Sequence, residues 1–323
     1  MAEHSAIEWT DATVNFWWGC TKVGPGCDGC YAETWAKRTG GNLWGVGVAR
    51  RKIKSAAALI HRLDNDYSWW AADHHIGQIN ATPARRVFIQ SMSDLFDTEV
   101  PLEWFDEAWG RIEVCNRLAI QIVTKRVSVV EKRLAAIGKD AWPKHAGLMI
   151  SVVNQEEADR DIPRLIALKA KLGIPWIGLS MEPLLGAVIL REEWLAALDW
   201  VIVGGESGKD ARPMNPNWVR ALLDQCQVAG VAFLFKQWGE WAPMDAAGIA
   251  ADRPITDRWG NVPDWMNRYV IAEGDAWARR VRGHSFTRHS TDLVYRVGKK
   301  TAGRMLDGAE HNGLPNFLIG LAA

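Results

Sequence analysis

The sequence predicts an α/β protein whose parallel strands curl into a full or partial (β/α) barrel, with an insertion near its start and an extension at its end. Three observations predict it. Short apolar runs alternate with longer amphipathic stretches through residues 87–235. The runs are apolar at nearly every position rather than at every second one, as in strands covered on both faces. Helical stretches carry Pro near a start or Gly past an end. Strands alternating with helices in this way build a parallel sheet covered by helices.

The elements follow in order. Residues 14–18 (VNFWW) read as the first strand. Residues 40–85 form an insertion, with one helix at 52–62 and the pair Trp69-Trp70. Then come a strand at 87–90 (VFIQ) and a helix that Pro101 starts and that runs to Cys115. Next are a strand at 118–123 (LAIQIV) and a helix at 128–137 stopped by Gly138. They are followed by a strand at 148–153 (LMISVV) and a helix at 155–172 stopped by Gly173. A strand at 176–180 (WIGLS) leads to a short helix at 191–198. The strand at 200–204 (WVIVG) leads to a helix at 216–229 before Gly230, and 231–235 (VAFLF) is the last strand. Residues 1–240 are thus the barrel with its insertion, and 241–323 an extension packed on it.

Composition narrows the function classes. Hydrophobic residues make up 48% and charged residues 24% of the 323, an ordinary globular balance that excludes disorder. Lys+Arg and Asp+Glu are both 38, so any pull on nucleic acid has to come from a local patch. No apolar run reaches the roughly 18 residues of a spanning helix. The N-terminus shows no signal peptide, and an odd cysteine count of five argues against a secreted disulfide scaffold. The expected location is cytoplasmic, with no membrane partner. Tryptophan is over-represented at 19 residues, and most of these indoles are expected in the core.

In a parallel barrel, chemistry gathers at the C-terminal ends of the strands. Nearly every strand here ends in a polar cluster. They are Gly19-Cys20, Ser91-Met92-Ser93-Asp94, Thr124-Lys125-Arg126, Ser151 with Asn154, Ser180-Met181-Glu182-Pro183, Gly204-Gly205-Glu206-Ser207-Gly208 and Lys236-Gln237-Trp238-Gly239. These residues are expected to converge on one site.

The sharpest local signal is Cys20-x6-Cys27-x2-Cys30, a loop carrying Gly24, Gly26 and Gly29. Thiolates bind soft metal centres, and C-x2-C lets two sulfurs reach one site. Three local thiolates without an obvious fourth suit a [4Fe–4S] cluster with one iron left open, able to chelate S-adenosylmethionine (SAM). Structural zinc with a histidine as fourth ligand (His4, His74 or His75) and unliganded thiols are the alternatives. Cys115 and Cys226 lie inside amphipathic helices and read as core thiols.

The chain resembles the phage-associated three-cysteine-motif family of radical-SAM-like proteins. The resemblance rests on Ile7-Glu8-Trp9-Thr10-Asp11, Gly19-Cys20, Pro25-Gly26-Cys27, Cys30-Tyr31-Ala32-Glu33 and Ser91-Met92-Ser93-Asp94-Leu95-Phe96. It continues through Thr124-Lys125-Arg126, Glu182-Pro183-Leu184-Leu185-Gly186, the 204–208 glycine run, Ala211-Arg212-Pro213 and Asp224-Gln225-Cys226. Phe235-Lys236-Gln237-Trp238-Gly239 and residues 298–304 complete it. The C-x6-C-x2-C spacing departs from the C-x3-C-x2-C pattern common among radical-SAM proteins, and Tyr31 follows the last cysteine instead of an aromatic residue preceding it.

The resemblance implies a barrel of radical-SAM type, a [4Fe–4S] cluster on Cys20, Cys27 and Cys30, and SAM as second cofactor. By position, Ser93 and Asp94 are then candidates for the SAM ammonium and Lys125 or Arg126 for its carboxylate. Tyr31 is a candidate for packing on adenine. Glu182 and Glu206 would hold ribose hydroxyls or substrate, and with Lys236 they are the candidate catalytic residues. The plainer readings are helix capping by Ser93 and Asp94, and ion pairs of Glu182 and Glu206 with Lys236 or Arg212. The resemblance further implies rearrangement of an amino-acid-modified thymidine during phage DNA hypermodification, with a protein reductant. Residues 279–304 hold eight Lys or Arg against the single acid Asp292. Within them Arg279, Arg280, Arg282 and Arg288 are the candidate DNA contacts. Trp69, Trp70 and Trp238 are candidate stacking partners for a base. The rival classes are a zinc-stabilised nucleic-acid-binding protein and a barrel hydrolase using Glu182 and Glu206 as paired carboxylates.

Overall fold

The computed structural model describes residues 2–66, 84–243, 246, 269–273, 276–278 and 293–318. In chain order, β1 (Ala12–Val14) and β2 (Trp17–Trp18) precede the cysteine loop, which leads into α1 (Tyr31–Arg38). β3 (Arg51–Lys52) and α2 (Ala56–Asn65) follow. A regular alternation then begins: β4 (Arg85–Ile89), α3 (Leu102–Val114), β5 (Leu118–Thr124), α4 (Val130–Ala136), β6 (Ala146–Ser151) and α5 (Gln155–Leu172). It continues through β7 (Ile177–Met181), α6 (Glu192–Leu195), β8 (Trp200–Gly204), α7 (Pro216–Ala229) and β9 (Ala232–Gln237).

Seven of these strands form one parallel sheet in the sequential order β1-β4-β5-β6-β7-β8-β9. Sequential order requires each crossover to step the same way. Right-handed crossovers then place the helices on one face, and the sheet curls away from them into a half-barrel. Helix ends obey local chemistry. Asn154 caps α5 by accepting from the Glu157 N–H, and Gly173 and Gly230 stop α5 and α7 in the left-handed conformation.

Side chains alternate across each strand, so the sheet feeds two cores. Val87, Ile89, Ile120 and Ile122 point to the helix layer, where they join Phe96, Phe105, Trp109 and Trp142. Phe88, Met149, Trp200, Ile202 and Leu234 point into the concave face, where Trp9, Trp176 and Leu318 cover them. Trp9, Trp176 and Trp200 lie at N-terminal strand ends, so indoles plug that end of the half-barrel. Each fully buried large apolar side chain contributes roughly 1.5–3 kcal/mol.

Three expectations need correction. The first sheet strand is 12–14, and residues 17–18 leave the sheet to pair antiparallel with 51–52. The chain peels away because side chains take over the hydrogen bonding: Gln90 Oε1 accepts from the Phe16 N–H at 2.8 Å, and Asn15 Oδ1 accepts from the Met92 N–H at 2.7 Å. Helix α1 was not expected, because the glycine-rich reading of the cysteine loop masked its start. The insertion's helix lies at 56–65, later than the expected 52–62.

The extension also holds strands that its polar sequence hides. β10 (Trp241–Pro243), β11 (Tyr269–Glu273), β12 (Ala276–Ala278) and β13 (Leu293–Arg296) form an antiparallel sheet in the order β10-β13-β11-β12. After α8 (Lys299–Ala302), the chain covers the β9 edge. Phe235 N donates to the His311 carbonyl, Gly313 N to the Phe233 carbonyl and Trp238 N to the Gly303 carbonyl, at 2.9, 2.9 and 3.1 Å. The tail thereby satisfies backbone groups that an open edge would expose. Among the described residues, no helix is long and apolar enough to cross a membrane.

Candidate functional site

Cys20 stands just past β2, and its loop crosses the C-terminal rim of the sheet. Behind Cys20 lies a buried lattice of charge. Arg126 donates through Nη1 to Cys20 Sγ at 3.3 Å and through Nη2 to the Thr21 carbonyl at 2.6 Å. The same guanidinium pairs with Asp94 Oδ2 at 3.1 Å and Asp97 Oδ1 at 3.7 Å. Arg50 pairs with Asp97 Oδ2 at 2.8 Å and donates to Thr21 Oγ1 at 2.6 Å. Two guanidiniums and two carboxylates thus alternate out of water, each compensating the other's desolvation. Burial works against the Arg126 cation, but Asp94, Cys20 and Asp97 outweigh it and hold its pKa above the ordinary value. Burial pushes the Cys20 thiol up to about 12, with Arg126 pulling the other way.

The far end of the loop is held differently. Residues Pro25–Cys27 make a 3₁₀ turn, and Cys30 is the N-cap of α1. Arg212 Nη2 donates to the Pro25 carbonyl at 2.9 Å, and its Nη1 pairs with Asp28 Oδ2 at 3.3 Å. Arg212 is itself fixed by Glu206, through Nε at 2.8 Å and Nη2 at 2.7 Å. Two glycines let the loop lie this close to the rim. A Cβ on Gly29 would stand 2.4 Å from Glu206 Oε1, and one on Gly26 2.7 Å from Val153 Cγ1. Burial raises the Cys30 thiol, while the Glu33 and Ala32 N–H groups in the first turn of α1 oppose that rise. Cys20 and Cys30 pack against one apolar patch made by Ala32, Ala36, Trp44 and Met92.

Between these ends are the remaining candidates. Glu182 follows β7, and its Oε2 pairs with Lys236 Nζ at 2.6 Å. Its Oε1 is buried without a hydrogen-bond partner among the described residues. Tyr31 is exposed, its hydroxyl donates to the Ser91 carbonyl, and it lies within electrostatic reach of Cys30 and Glu182. Lys125, at the end of β5, lies near Cys30 and has no ion-pair partner among the described residues.

Cys20, Cys27, Cys30, Tyr31, Ser93, Asp94, Lys125, Arg126, Glu182, Glu206 and Lys236 therefore occupy one rim, but several are already engaged. Asp94 accepts from Phe96 N, Thr124 Oγ1 and Lys125 N at 2.9, 2.8 and 3.0 Å in addition to Arg126. Ser93 Oγ donates to the Trp17 carbonyl at 3.0 Å. The geometry of Asp94 is that of a turn cap and a guanidinium anchor. Glu182 and Glu206 each sit in their own ion pair. Trp238 is buried, with Nε1 donating to the Met305 carbonyl at 2.8 Å, which makes it a structural residue.

Arg279, Arg280, Arg282 and Arg288 lie outside the described residues, as do Trp69, Trp70, His74 and His75. Two described arginines of the basic stretch are engaged within the protein. Arg296 donates to the Gly208 carbonyl at 3.1 Å, and Arg304 donates to Asn312 Oδ1. Sequence reasoning missed Arg50 and Asp97. Asp97 had a weak signal, three residues past Asp94; Arg50 had none, because it lies inside the stretch read as an insertion.

Three thiols share one loop, two of them against an apolar wall, beside the Lys125 ammonium and the Glu182 Oε1 atom, neither of which has a partner among the described residues. That chemistry suits a soft iron–sulfur centre and a small zwitterionic ligand. Among the described residues, no three His, Cys, Asp or Glu side chains group as a site for a metal ion.

A family model described as "Protein of unknown function (DUF5131)" matches residues 4–315. No curated protein matches the chain. Among solved structures, the chain is similar to spore photoproduct lyase complexed with dinucleoside spore photoproduct, at 15% identity and a TM-score of 0.36. That match covers 70% of this chain and 63% of the other's length. A mutant of that lyase with bound AdoMet and dinucleoside spore photoproduct matches at 15% identity and a TM-score of 0.35, covering 88% and 68%.

Proposed function

The chain belongs to the DUF5131 family, whose description names no activity, and we propose from the site itself that it is a radical-SAM enzyme. The observation that carries this reading is the three-cysteine loop, clamped by two arginines over the C-terminal rim of a sequential parallel half-barrel. Cys20, Cys27 and Cys30 would hold a [4Fe–4S] cluster. With such a cluster and SAM held there, the chemistry supplied would be one-electron reductive cleavage of SAM to methionine and a 5′-deoxyadenosyl radical able to take hydrogen from a substrate, the electron coming from an external reductant.

The protein's own groups position and shield. Lys125, which has no ion-pair partner among the described residues, offers a cation for the SAM carboxylate. Lys236 fixes one oxygen of Glu182 and leaves Oε1 to accept from a ribose or substrate hydroxyl. Tyr31, exposed beside Cys30, would pack on adenine. Glu206 acts on the loop through Arg212. Asp94 acts on Cys20 through Arg126, so the SAM ammonium falls to other acceptors on this rim. The indole plug keeps bulk water out of the opposite end.

The proposed reaction is isomerisation of an amino-acid-modified thymidine in phage DNA, with the base flipped out to reach the rim and a protein supplying the electron. The basic stretch from Arg279 to Arg304, in a chain of zero net charge, supports a polyanionic substrate. The test is anaerobic reconstitution with iron and sulfide, then dithionite and SAM, with 5′-deoxyadenosine measured by mass spectrometry. The proposal expects a brown protein that releases 5′-deoxyadenosine. A colourless zinc-loaded protein, or activity that survives Cys30→Ala, overturns it.

A further inference from the structure

Arg126 touches the sulfur of one cysteine and of no other, and nothing in the proposed reaction requires that contact. We propose that Arg126 is a positioning residue that sets the reduction potential of the iron–sulfur centre through its hydrogen bond to Cys20 Sγ. The inference rests on the iron–sulfur reading above. Reduction adds one electron, taken from a one-electron reductant, and part of its charge resides on the ligand sulfurs. A buried cationic donor at 3.3 Å from one sulfur favours that added charge, and hydrogen bonds to sulfur and net charge are recognised controls of cluster potential.

The surroundings make Arg126 a specific lever. Its charge is held by Asp94 and Asp97, and Asp97 is in turn held by Arg50. The guanidinium therefore has no freedom to swing to solvent, and its side chain is 9% exposed. Arg212 supplies the internal comparison. It holds the same loop by a backbone carbonyl and by Asp28, with no sulfur contact. A merely structural arginine resembles Arg212; an electronic one does not.

The experiment is an anaerobic redox titration of the reconstituted full chain, followed by EPR, for wild type, Arg126→Gln, Arg126→Lys and Arg212→Gln. Arg126→Gln is expected to titrate at lower potential. At the wild-type midpoint its reduced-to-oxidised ratio falls about tenfold, a shift of about 59 mV for a one-electron couple. Arg126→Lys keeps the charge but loses the planar fork, and shifts by less in the same direction. Arg212→Gln loses part of its iron, while the clusters it retains titrate at the wild-type midpoint. An unshifted midpoint in Arg126→Gln, or equal shifts in Arg126→Gln and Arg212→Gln, overturns the proposal. If Arg126→Gln takes up no iron, an unshifted Arg126→Lys overturns it. A wild-type chain that takes up no iron removes the underlying reading and this inference with it.

Discussion

The two ends of the cysteine loop are each fastened by an arginine, yet the fastenings differ in kind. At Cys20, Arg126 belongs to a buried set with Asp94, Asp97 and Arg50, and it reaches the sulfur itself. Near Cys27 and Cys30, Arg212 is about one-third exposed, leans on the buried Glu206 carboxylate, and holds the loop through the Pro25 carbonyl and Asp28. The difference teaches how a protein prepares a site for a bulky inorganic group. One donor is fixed in a dry electrostatic frame. The other two lie on a short turn and at a helix start, held through a backbone carbonyl and a half-open ion pair, although all three cysteines are buried to a similar, intermediate degree.

The comparison is sharpened first by the cysteines themselves. Ala at position 20, 27 or 30 is expected to abolish most iron binding, whereas Cys115→Ala and Cys226→Ala leave it intact. Iron and sulfide assays on the five variants decide this, and equal loss from a core cysteine contradicts the assignment.

The second test is of stability. Asp97→Ala removes the carboxylate shared by two buried guanidiniums, leaving Arg126 to Asp94 and Arg50 to the longer pair with Glu99, and is expected to cost about 3 kcal/mol in urea unfolding of the metal-free chain. Arg212→Gln breaks a pair partly open to solvent and is expected to cost about 1 kcal/mol or less. Equal losses would erase the contrast between the two ends.

Close packing gives a third test. Gly29→Ala places a methyl group where Glu206 Oε1 now lies, so the carboxylate must shift and loosen Arg212. The expected cost is about 1–3 kcal/mol, with reduced iron uptake. Gly110→Ala, inside α3 with open space around its missing Cβ, is expected to be stabilising by up to about 1 kcal/mol. A neutral Gly29→Ala would show that the loop does not seat on the rim as described.

The smallest effect is in thiol chemistry. The thiolate is the reactive form, and burial sets the Cys20 thiol at about 12. Below that value the thiolate fraction rises about tenfold per pH unit, so alkylation of Cys20 in the iron-free protein should still be accelerating between pH 9 and about 11. Cys226, also pushed to about 12 and fully buried, should react slowest. Peptide mass spectrometry of alkylated protein across that range reads both. A Cys20 rate that levels off near pH 8 contradicts its burial.

Much of this architecture was legible in the sequence. The strands from β4 to β9 and the helices α3, α5 and α7 lie within a few residues of their expected bounds, because continuous apolar runs and terminal Gly residues mark them locally. What was not legible depends on long-range pairing. The departure of Trp17–Trp18 from the sheet follows from Gln90 and Asn15 side chains 74 and 77 residues from their backbone partners. Arg50 became part of the site only because the chain folds back upon Thr21 and Asp97. The rim positions of Glu182 and Glu206 could be read from the strand ends. Their pairing with Lys236 and Arg212 was open in the sequence, since charge on a strand end does not say which partner it meets.

The most direct test of the central claim is low-temperature EPR of the reconstituted, dithionite-reduced chain with and without SAM. A three-cysteine site leaves one iron for SAM to bind, so the expected result is a [4Fe–4S]⁺ signal whose shape changes on adding SAM. A signal that SAM leaves unchanged, or a chain that carries no iron after reconstitution, would contradict it.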